Sequence, residues 1–185
     1  MGRVEKGLQP FQGRPLIERV LERFRPQVDE LLISANQSIA AYEAYGVTVV
    51  SDSLKEADGT VAGPLAGLHA GLRACRHPLL ATVPCDAPHL PDHLVARLRE
   101  GLVAAAADVA IPKVAAHVQP VFVLARKDVF AELDLYMKSG GRRADGWYGR
   151  LRVIEVPFED AAAFANVNTL AELREMEAGD RPESE

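Results

Sequence analysis

Hydrophobic and polar residues recur along this chain first with the spacing of a helix and then with that of a strand. The segment LIERVLERF places Leu16, Val20 and Phe24 on one face and its charged residues on the other, as in an amphipathic helix. Pro15 precedes them, at a position that helices tolerate. The short apolar run at residues 31–33 then predicts a buried strand.

Helical and strand-like segments continue to alternate through the first half of the sequence. Helices are predicted at QSIAAYEAYG, GPLAGLHAGLRAC and PDHLVARLREGLVAA, and strands at VTVVSDS and PLLATVP. Such alternation favours an α/β fold with a mostly parallel sheet. The second half is less regular, with strands predicted at DVAIP, PVFVLAR and LRVIEVPF and helices at KDVFAELDLYMKSGG and TLAELREME.

The chain length of 185 residues fits a single domain, which we expect to span residues 1–177. Residues 178–185 are polar and acidic, so we expect a disordered tail there.

Composition and charge narrow the classes of partner. The formal net charge of -5 argues against binding to nucleic acid, which requires a basic surface. No apolar run is long enough to span a bilayer, and the first residues do not resemble a signal peptide. Two cysteines do not make a disulfide framework. We therefore expect a cytoplasmic protein with neither nucleic-acid nor membrane partners.

Three polar residues stand just after predicted strands, where those strands end. They are Asn36, Asp52 and Asp86. In open α/β sheets, ligands bind outside the carboxyl ends of the strands. The sequence therefore predicts a binding site at that edge of the sheet.

The stretch VPCDAPHL is the most informative part of this edge. It delivers a single carboxylate, Asp86, on a turn that Pro84 and Pro88 stiffen. One carboxylate suits a Mg²⁺ ion that also binds substrate phosphates, because this ion keeps several waters and needs few protein ligands. The alternative is an aspartate that caps its own turn. Cys85 has no identifiable base, so we interpret it as a buried small residue rather than a nucleophile.

Two charged segments are suited to an anionic ligand. Lys6 in RVEKG is a mobile point charge of the kind that contacts triphosphate oxygens. Arg142 and Arg143 in SGGRRADGWYG stand on a glycine-flanked loop suited to a phosphate. The alternatives are a solvated charged amino end and an exposed surface loop.

Two other segments supply small and amide side chains. In GPLAGLHAGL, Gly63 and Gly67 let a flat ligand or another backbone approach closely, or they pack a helix tightly on the sheet. In FANVNTLAEL, Asn166 and Asn168 offer donors and acceptors to a heterocycle or a phosphate, or they cap the last helix.

In their order along the chain, these motifs resemble one known family. The combination of GPLAGL, PCDAP and NVNT, with EKGL, LLISAN and GGRR, is similar to the MobA family of molybdenum cofactor guanylyltransferases. The resemblance runs nearly from one end of the chain to the other. It implies a Rossmann-like three-layer nucleotidyltransferase that joins GMP from GTP to the phosphate of molybdopterin, releases pyrophosphate and uses Mg²⁺. Molybdenum insertion proteins and molybdoenzyme chaperones would be further partners.

The resemblance also implies roles for individual residues. Lys6 would contact the GTP phosphates and Asp86 would bind Mg²⁺ and GTP, which makes these two the catalytic residues. Asp52 would lie in the nucleotide pocket. Ser34 stands where the family often has asparagine, and Asn36 would share the contact to the base. The other cleft residues would bind substrate: Gly63, Pro64, Gly67, Arg142, Arg143, Asn166 and Asn168.

The family begins with a strand and a glycine-rich loop of the form L-A-G-G-x-x-x-R-M-G, of which this sequence matches Met1 and Gly2. The start thus resembles an internal methionine of that family. The resemblance implies a sheet without its first, central strand, and therefore a gap, or a rearranged sheet, between DELLIS and LLATVP. We expect low stability and low activity from such a chain, because the strands beside the gap would carry unpaired backbone groups.

Two other functions remain open. One is a cytidylyl- or sugar-nucleotidyltransferase of similar architecture. The other is a non-catalytic paralogue that binds molybdopterin or delivers the cofactor. Lys6, Asp52 and Asp86 favour catalysis, because a pure binder has no need of a metal-binding carboxylate.

Overall fold

The computed structural model describes residues 5–51, 63–167 and 172 of the chain. The first part of the fold combines a small hairpin, two helices and a pair of strands. Its elements are β1 (Pro10–Phe11), β2 (Arg14–Pro15), α1 (Leu16–Phe24), β3 (Leu32–Ser34), α2 (Ile39–Glu43) and β4 (Thr48–Val50).

The second part contains the larger sheet and the helices that cover it. Its elements are α3 (Pro64–Ala74), β5 (Leu79–Thr82), α4 (Leu94–Ala104), β6 (Val109–Val114), β7 (His117–Val118), β8 (Val123–Arg126), α5 (Phe130–Lys138), α6 (Ala144–Tyr148) and β9 (Val153–Phe158). The predicted α/β class is confirmed.

Helix α1 forms where the sequence repeats apolar residues on one face, and it contacts two hydrophobic clusters. Its Ile17 and Leu21 pack with Ile33 of β3. Its Val20 and Phe24 belong to a second cluster, which also contains residues of α4, β6 and β8. One helix therefore packs against both parts of the fold.

The described strands form three sheets. β1 and β2 make an antiparallel hairpin, and β3 is parallel to β4. The third sheet has the order β5-β8-β6-β7, with β9 parallel to β6 on the other side.

Helices cover both faces of the third sheet. Successive residues of β6 alternate between the two faces: Ala110 packs in the cluster that contains α4, whereas Val109 and Ile111 pack in the cluster that contains α3 and α5. This period of two is that of a strand buried on both sides. The predicted three-layer arrangement is confirmed.

The third sheet is more mixed than the mostly parallel arrangement that the sequence predicted. β8 runs antiparallel to both β5 and β6. The chain returns from Val114 to Val123 by way of the short strand β7. A parallel crossover needs roughly a dozen residues or more, so this connection can only reverse the chain. Among the described strands, parallel pairing is found in β3–β4 and β6–β9.

The predicted gap between the strands of DELLIS and LLATVP is confirmed within the described residues. There, β3 pairs with β4 alone and β5 pairs with β8 alone. A cavity of about 660 Å³ is lined by residues of both strands and by α1 and α3. Among the described residues, no strand joins the β3–β4 pair to the third sheet.

Several expectations concern residues outside the described ranges. The tail predicted at residues 178–185 lies there, so the division into a domain at 1–177 and a tail stays a prediction. The final helix predicted at TLAELREME is represented only by Glu172, which is helical. Within residues 5–51 and 63–167, every helix is too short or too polar to cross a bilayer.

Candidate functional site

Several of the residues that the sequence singled out line one cavity, at the edge of the fold where β3 ends. They come from the amino-terminal turn, from the end of β3 and from the start of α3. These residues are Lys6, Ser34, Asn36, Gly63, Pro64 and Gly67.

The end of β3 is held against the end of β4. The backbone N–H of Ala35 donates to the carbonyl of Val50 at 2.9 Å, and the Ser51 hydroxyl donates back to the carbonyl of Ala35 at 2.9 Å. These bonds fix the two residues that flank Ala35, which are Ser34 and Asn36, at the carboxyl edge of the strands. This is the edge at which the sequence placed the site.

Helix α3 begins beside the same edge. Gly63 adopts φ +69° and ψ -165°, a conformation that favours glycine, and Pro64 follows at the first helical position. A side chain at Gly67 would meet Ser34 Oγ at 3.5 Å, which is an ordinary contact, so that position faces the end of β3. A side chain at Gly71 would meet Leu80 Cδ2 at 2.9 Å, so the last glycine of the motif serves tight packing of α3 on β5.

Lys6 and Asp86 form an ion pair at the rim of the cavity. Lys6 Nζ lies 3.4 Å from Asp86 Oδ2, and the lysine side chain is 48% exposed whereas that of the aspartate is 10% exposed. The Asp86 carbonyl accepts the N–H of Val167 at 2.9 Å, which ties the aspartate turn to the segment that contains Asn166. An accessible positive charge thus stands next to a shielded carboxylate.

The turn that carries Lys6 is wedged between α2 and the aspartate turn, a contact that the sequence did not predict. Tyr42 of α2 donates its hydroxyl to Glu5 Oε2 at 3.1 Å. Burial raises the pKa of the Tyr42 phenol above its usual range, so it remains a donor. A side chain at Gly7 would lie 3.1 Å from the Tyr42 hydroxyl and 3.2 Å from Cys85 Sγ. Glu5 and Tyr42 are 37 residues apart, and no local pattern marks such a pair.

Cys85 packs against the turn that carries Lys6, and we assign it no role in the reaction. Burial is the main cause that raises the pKa of its thiol to about 11. At neutral pH it is therefore a thiol and a poor nucleophile, in line with its interpretation from the sequence.

A thiol-labelling experiment tests this. In a Cys75→Ala variant, Cys85 is the remaining cysteine of the sequence. We expect iodoacetamide at pH 8 to label it on the order of a hundredfold more slowly than an unhindered thiol, because the thiolate fraction is that much smaller. The same variant in denaturant should label at the ordinary rate. Equal rates in the folded and denatured protein would contradict the assignment.

The two arginines of the GGRR segment make contacts of their own. Arg142 Nη1 donates to the carbonyls of Met137, at 2.7 Å, and Gly141, at 2.8 Å, at the end of α5. Arg143 is 83% exposed and pairs with Asp145. Neither lines the cavity, although Ala144, the next residue, does. The SGGRRADGWYG segment is also partly helical, since it contains α6, and is not the open loop that the sequence suggested. Substrate binding by the two arginines stays a prediction.

Two predicted site residues, Asp52 and Asn168, lie outside the described ranges. Asn166 is half-buried on the segment next to Asp86 and does not line the cavity. Asp86 itself is beside the cavity, to which Lys6 links it. Tyr148, which the sequence analysis did not single out, contributes to the lining from α6.

The described residues suit a magnesium ion bound mainly by its substrate. They contain no cluster of three or more histidine, cysteine, aspartate or glutamate side chains that would hold a metal alone. A single shielded carboxylate is the protein ligand expected where phosphates and waters supply the other ligands, and the nearby ammonium of Lys6 would neutralise phosphate charge. Asp86 is the residue that would hold the ion.

A sequence model of the MobA-like NTP transferase domain matches residues 1–152 of this chain. A molybdenum cofactor guanylyltransferase from Ralstonia nicotianae is 46% identical over 185 residues, which cover 95% of this chain and 89% of that protein.

Solved structures share the fold at lower identity. Molybdopterin-guanine dinucleotide biosynthesis protein A from Archaeoglobus fulgidus superposes with a TM-score of 0.75 at 22% identity, over 95% of this chain and 90% of that one. A 2-C-methyl-D-erythritol 4-phosphate cytidylyltransferase from Thermus thermophilus superposes with a TM-score of 0.70 at 18% identity, over 94% of this chain and 92% of that one.

Proposed function

The chain belongs to the MobA-like NTP transferase family, and on that premise we propose that it transfers GMP from GTP to the phosphate of molybdopterin. The name of the relative that is 46% identical over nearly the whole chain supports this substrate pair. The observation that carries the proposal is the Lys6–Asp86 ion pair, at 3.4 Å, on the rim of the cavity. It provides the two opposite charges that a nucleoside triphosphate and its metal ion require.

Lys6 would bind the triphosphate. Its ammonium is half-exposed at the rim and is held there by the wedge of Glu5 and Gly7 between Tyr42 and Cys85. A lysine in this position neutralises charge on the phosphate oxygens without needing a fixed direction of approach. The amino end of α3, at Gly63 and Pro64, adds the positive end of a helix dipole at the same cavity.

The reaction requires positioning and charge neutralisation more than proton transfer. An oxygen of the molybdopterin phosphate forms a bond to the α-phosphorus of GTP, and the bond from that phosphorus to the β-phosphate bridging oxygen breaks. Pyrophosphate leaves with the electron pair of that bond. The attacking oxygen is already anionic, so no strong general base is needed. When bound, Mg²⁺ neutralises the growing charge on the leaving group, and Asp86 would hold it.

Ser34 and Asn36 would contact the base. Both line the cavity at the end of β3, and their side chains offer a hydroxyl and an amide as hydrogen-bond donors and acceptors.

The two free cysteines are in keeping with a reducing compartment such as the cytoplasm.

Competition between nucleotides tests the proposed substrate. With molybdopterin as acceptor, we expect GTP to be used at least about tenfold better than ATP or CTP in kcat/KM, because the wrong base leaves polar groups unpaired. Equal use of CTP would contradict the guanylyl assignment and favour the cytidylyl alternative.

A further inference from the structure

We propose that His69 is a positioning residue, whose hydrogen bond to Asp134 of α5 sets how helix α3 lies against the cavity. His69 Nε2 lies 3.0 Å from Asp134 Oδ1, and the histidine side chain is only 4% exposed. His69 does not itself line the cavity, so it acts through the helix that carries it. The kinetic part of this inference rests on the proposed function, whereas its structural part is tested without substrate.

The first half of α3 belongs to the cavity. Gly63, Pro64 and Gly67 all line it. The N–H groups in the first turn of a helix have no partner within the helix, and they attract phosphates. A shift of this turn by about 1 Å would change its distance to a bound triphosphate, and a misplacement of that size can lower a rate by about a hundredfold.

Most side chains of α3 make contacts that have no preferred direction. Its sequence, PLAGLHAGLRA, consists of proline, leucine, alanine and glycine apart from His69 and Arg73. The glycines allow close approach to the strands but have no side chain that could interlock with them. A hydrogen bond, in contrast, requires a definite distance and angle. His69 is the polar side chain in the middle of α3, where such a bond fixes both the rotation and the axial position of the helix.

His69 lies on the side of α3 that faces away from β3. It is two residues from Gly67, which corresponds to about 200° around an α-helix. A side chain at Gly67 would meet Ser34 Oγ at 3.5 Å, so that face is turned to the end of β3. His69 instead meets two residues of α5: Asp134, and Phe130 at 5.0 Å between ring centroids. The hydrogen bond therefore holds α3 from behind.

Asp134 is an acceptor on a helix that is itself held in place. Lys138 Nζ lies 2.6 Å from Asp134 Oδ2, and the bonds from Lys138 and then His69 lower the pKa of the carboxyl. It is therefore a carboxylate at neutral pH and accepts the His69 Nε2–H. Arg142 donates to the Met137 carbonyl at the end of the same helix.

Stability alone does not account for this buried pair. Removing a histidine and a carboxylate from water is unfavourable, and replacing such a pair by apolar residues of similar size is often neutral or stabilising. Helices α3 and α5 otherwise share one hydrophobic cluster, which includes Leu65, Leu72 and Leu133. A leucine at position 69 would suit that cluster, so the histidine is explained by the direction of its bond.

Two substitutions at position 69 separate the hydrogen bond from the packing. His69→Leu removes the bond and keeps an apolar side chain. His69→Gln places an amide N–H near the position of Nε2, so it can still donate to Asp134. Lys138→Met is the matched control, because it removes the other partner of Asp134 at the surface of α5.

Three quantities are measured in each variant. The amide NMR signals of Gly63 and Gly67 are recorded in the protein without substrate. The Tm is determined under the same conditions, and kcat and KM for GTP are determined with molybdopterin and Mg²⁺.

We expect His69→Leu to lower kcat by about tenfold or more while its Tm equals or exceeds that of the parent protein. kcat should fall by a larger factor than KM rises, because the triphosphate still binds to Lys6 but is held away from its reactive position. The Gly63 and Gly67 signals should differ between His69→Leu and His69→Gln, which both lack the imidazole ring. His69→Gln and Lys138→Met should keep kcat near that of the parent.

Asp134→Ala removes the same hydrogen bond from the α5 side. It should lower kcat as His69→Leu does, and its Tm should fall, because His69 is left buried without its acceptor.

Four results would overturn the proposal. They are a normal kcat in His69→Leu, a lower Tm or loss of folding in that variant, an equal loss of kcat in His69→Gln, and a normal kcat in Asp134→Ala. If the parent protein transfers no GMP, the proposed function is wrong, and the amide signals alone decide: identical Gly63 and Gly67 signals in His69→Leu and His69→Gln would contradict positioning by His69.

Discussion

Asp86→Asn is expected to reduce GMP transfer by about a hundredfold or more while the fold stays intact. The carboxylate is largely shielded from solvent, and Lys6 Nζ is 3.4 Å away. An amide of the same shape keeps the packing and the backbone bond from Val167, but it carries no charge with which to hold Mg²⁺. The measurement is kcat/KM for GTP at saturating Mg²⁺, made next to the parent protein.

Asp92→Asn is the matched control for this substitution. Asp92 is 72% exposed, lies six positions further along the same segment and pairs with Arg23 at 3.3 Å. Surface ion pairs of this kind contribute little to the free energy of unfolding, so neither activity nor the Tm should change appreciably. Near-normal turnover in Asp86→Asn, or an equal loss in both variants, would show that a different carboxylate binds the metal.

Lys6→Met should lower kcat/KM for GTP by roughly ten- to a hundredfold, the effect of losing one charge-assisted contact. Methionine keeps much of the length and the apolar stem of the side chain, so the turn between Tyr42 and Cys85 should persist. Loss of the charge weakens binding of the triphosphate and also of the transition state, in which charge on the leaving phosphates grows. Both KM and kcat should therefore change, which steady-state kinetics with GTP would measure.

Lys113→Met provides the comparison. Lys113 is 39% exposed and pairs with Glu155 on the third sheet, away from the cavity. Its replacement removes a positive charge of the same kind without touching the proposed site. If the two lysine variants behave alike, the effect of Lys6 is one of overall charge, and its assignment to the triphosphate is wrong.

Patterns within short segments of the sequence predicted those parts of the fold that depend on neighbouring residues in the chain. The apolar face of α1 and the order of helices and strands follow from periodicity. The edge that contains Ser34 and Asn36 follows from the rule that parallel strands end together, which β3 and β4 obey. The gap beside β3 followed from the resemblance to a family rather than from periodicity.

Contacts between distant residues could not be predicted in the same way. The short connection explains why β8 reverses direction, but the pairing of β8 with both β5 and β6 depends on tertiary structure and does not follow from the sequence. The hydrogen bond from Tyr42 to Glu5 forms only after the tertiary structure brings α2 to the amino-terminal turn. Arg142 bonds to the carbonyls of Met137 and Gly141 at the end of α5, and the sequence did not predict these contacts. Each of these contacts depends on which residues the tertiary structure brings together, which residue type alone does not predict.

Analysis of the reaction product tests the proposed function most directly. Purified protein is incubated with molybdopterin, Mg²⁺ and GTP that is labelled at the α-phosphate. The products are then separated, and their masses are determined by mass spectrometry. The account predicts that the parent protein forms a molybdopterin guanine dinucleotide that carries the label. One pyrophosphate should be released for each dinucleotide, and the Asp86→Asn variant should form no dinucleotide. Label that remains in GTP or appears as free GMP, with the protein folded and molybdopterin present, would contradict it.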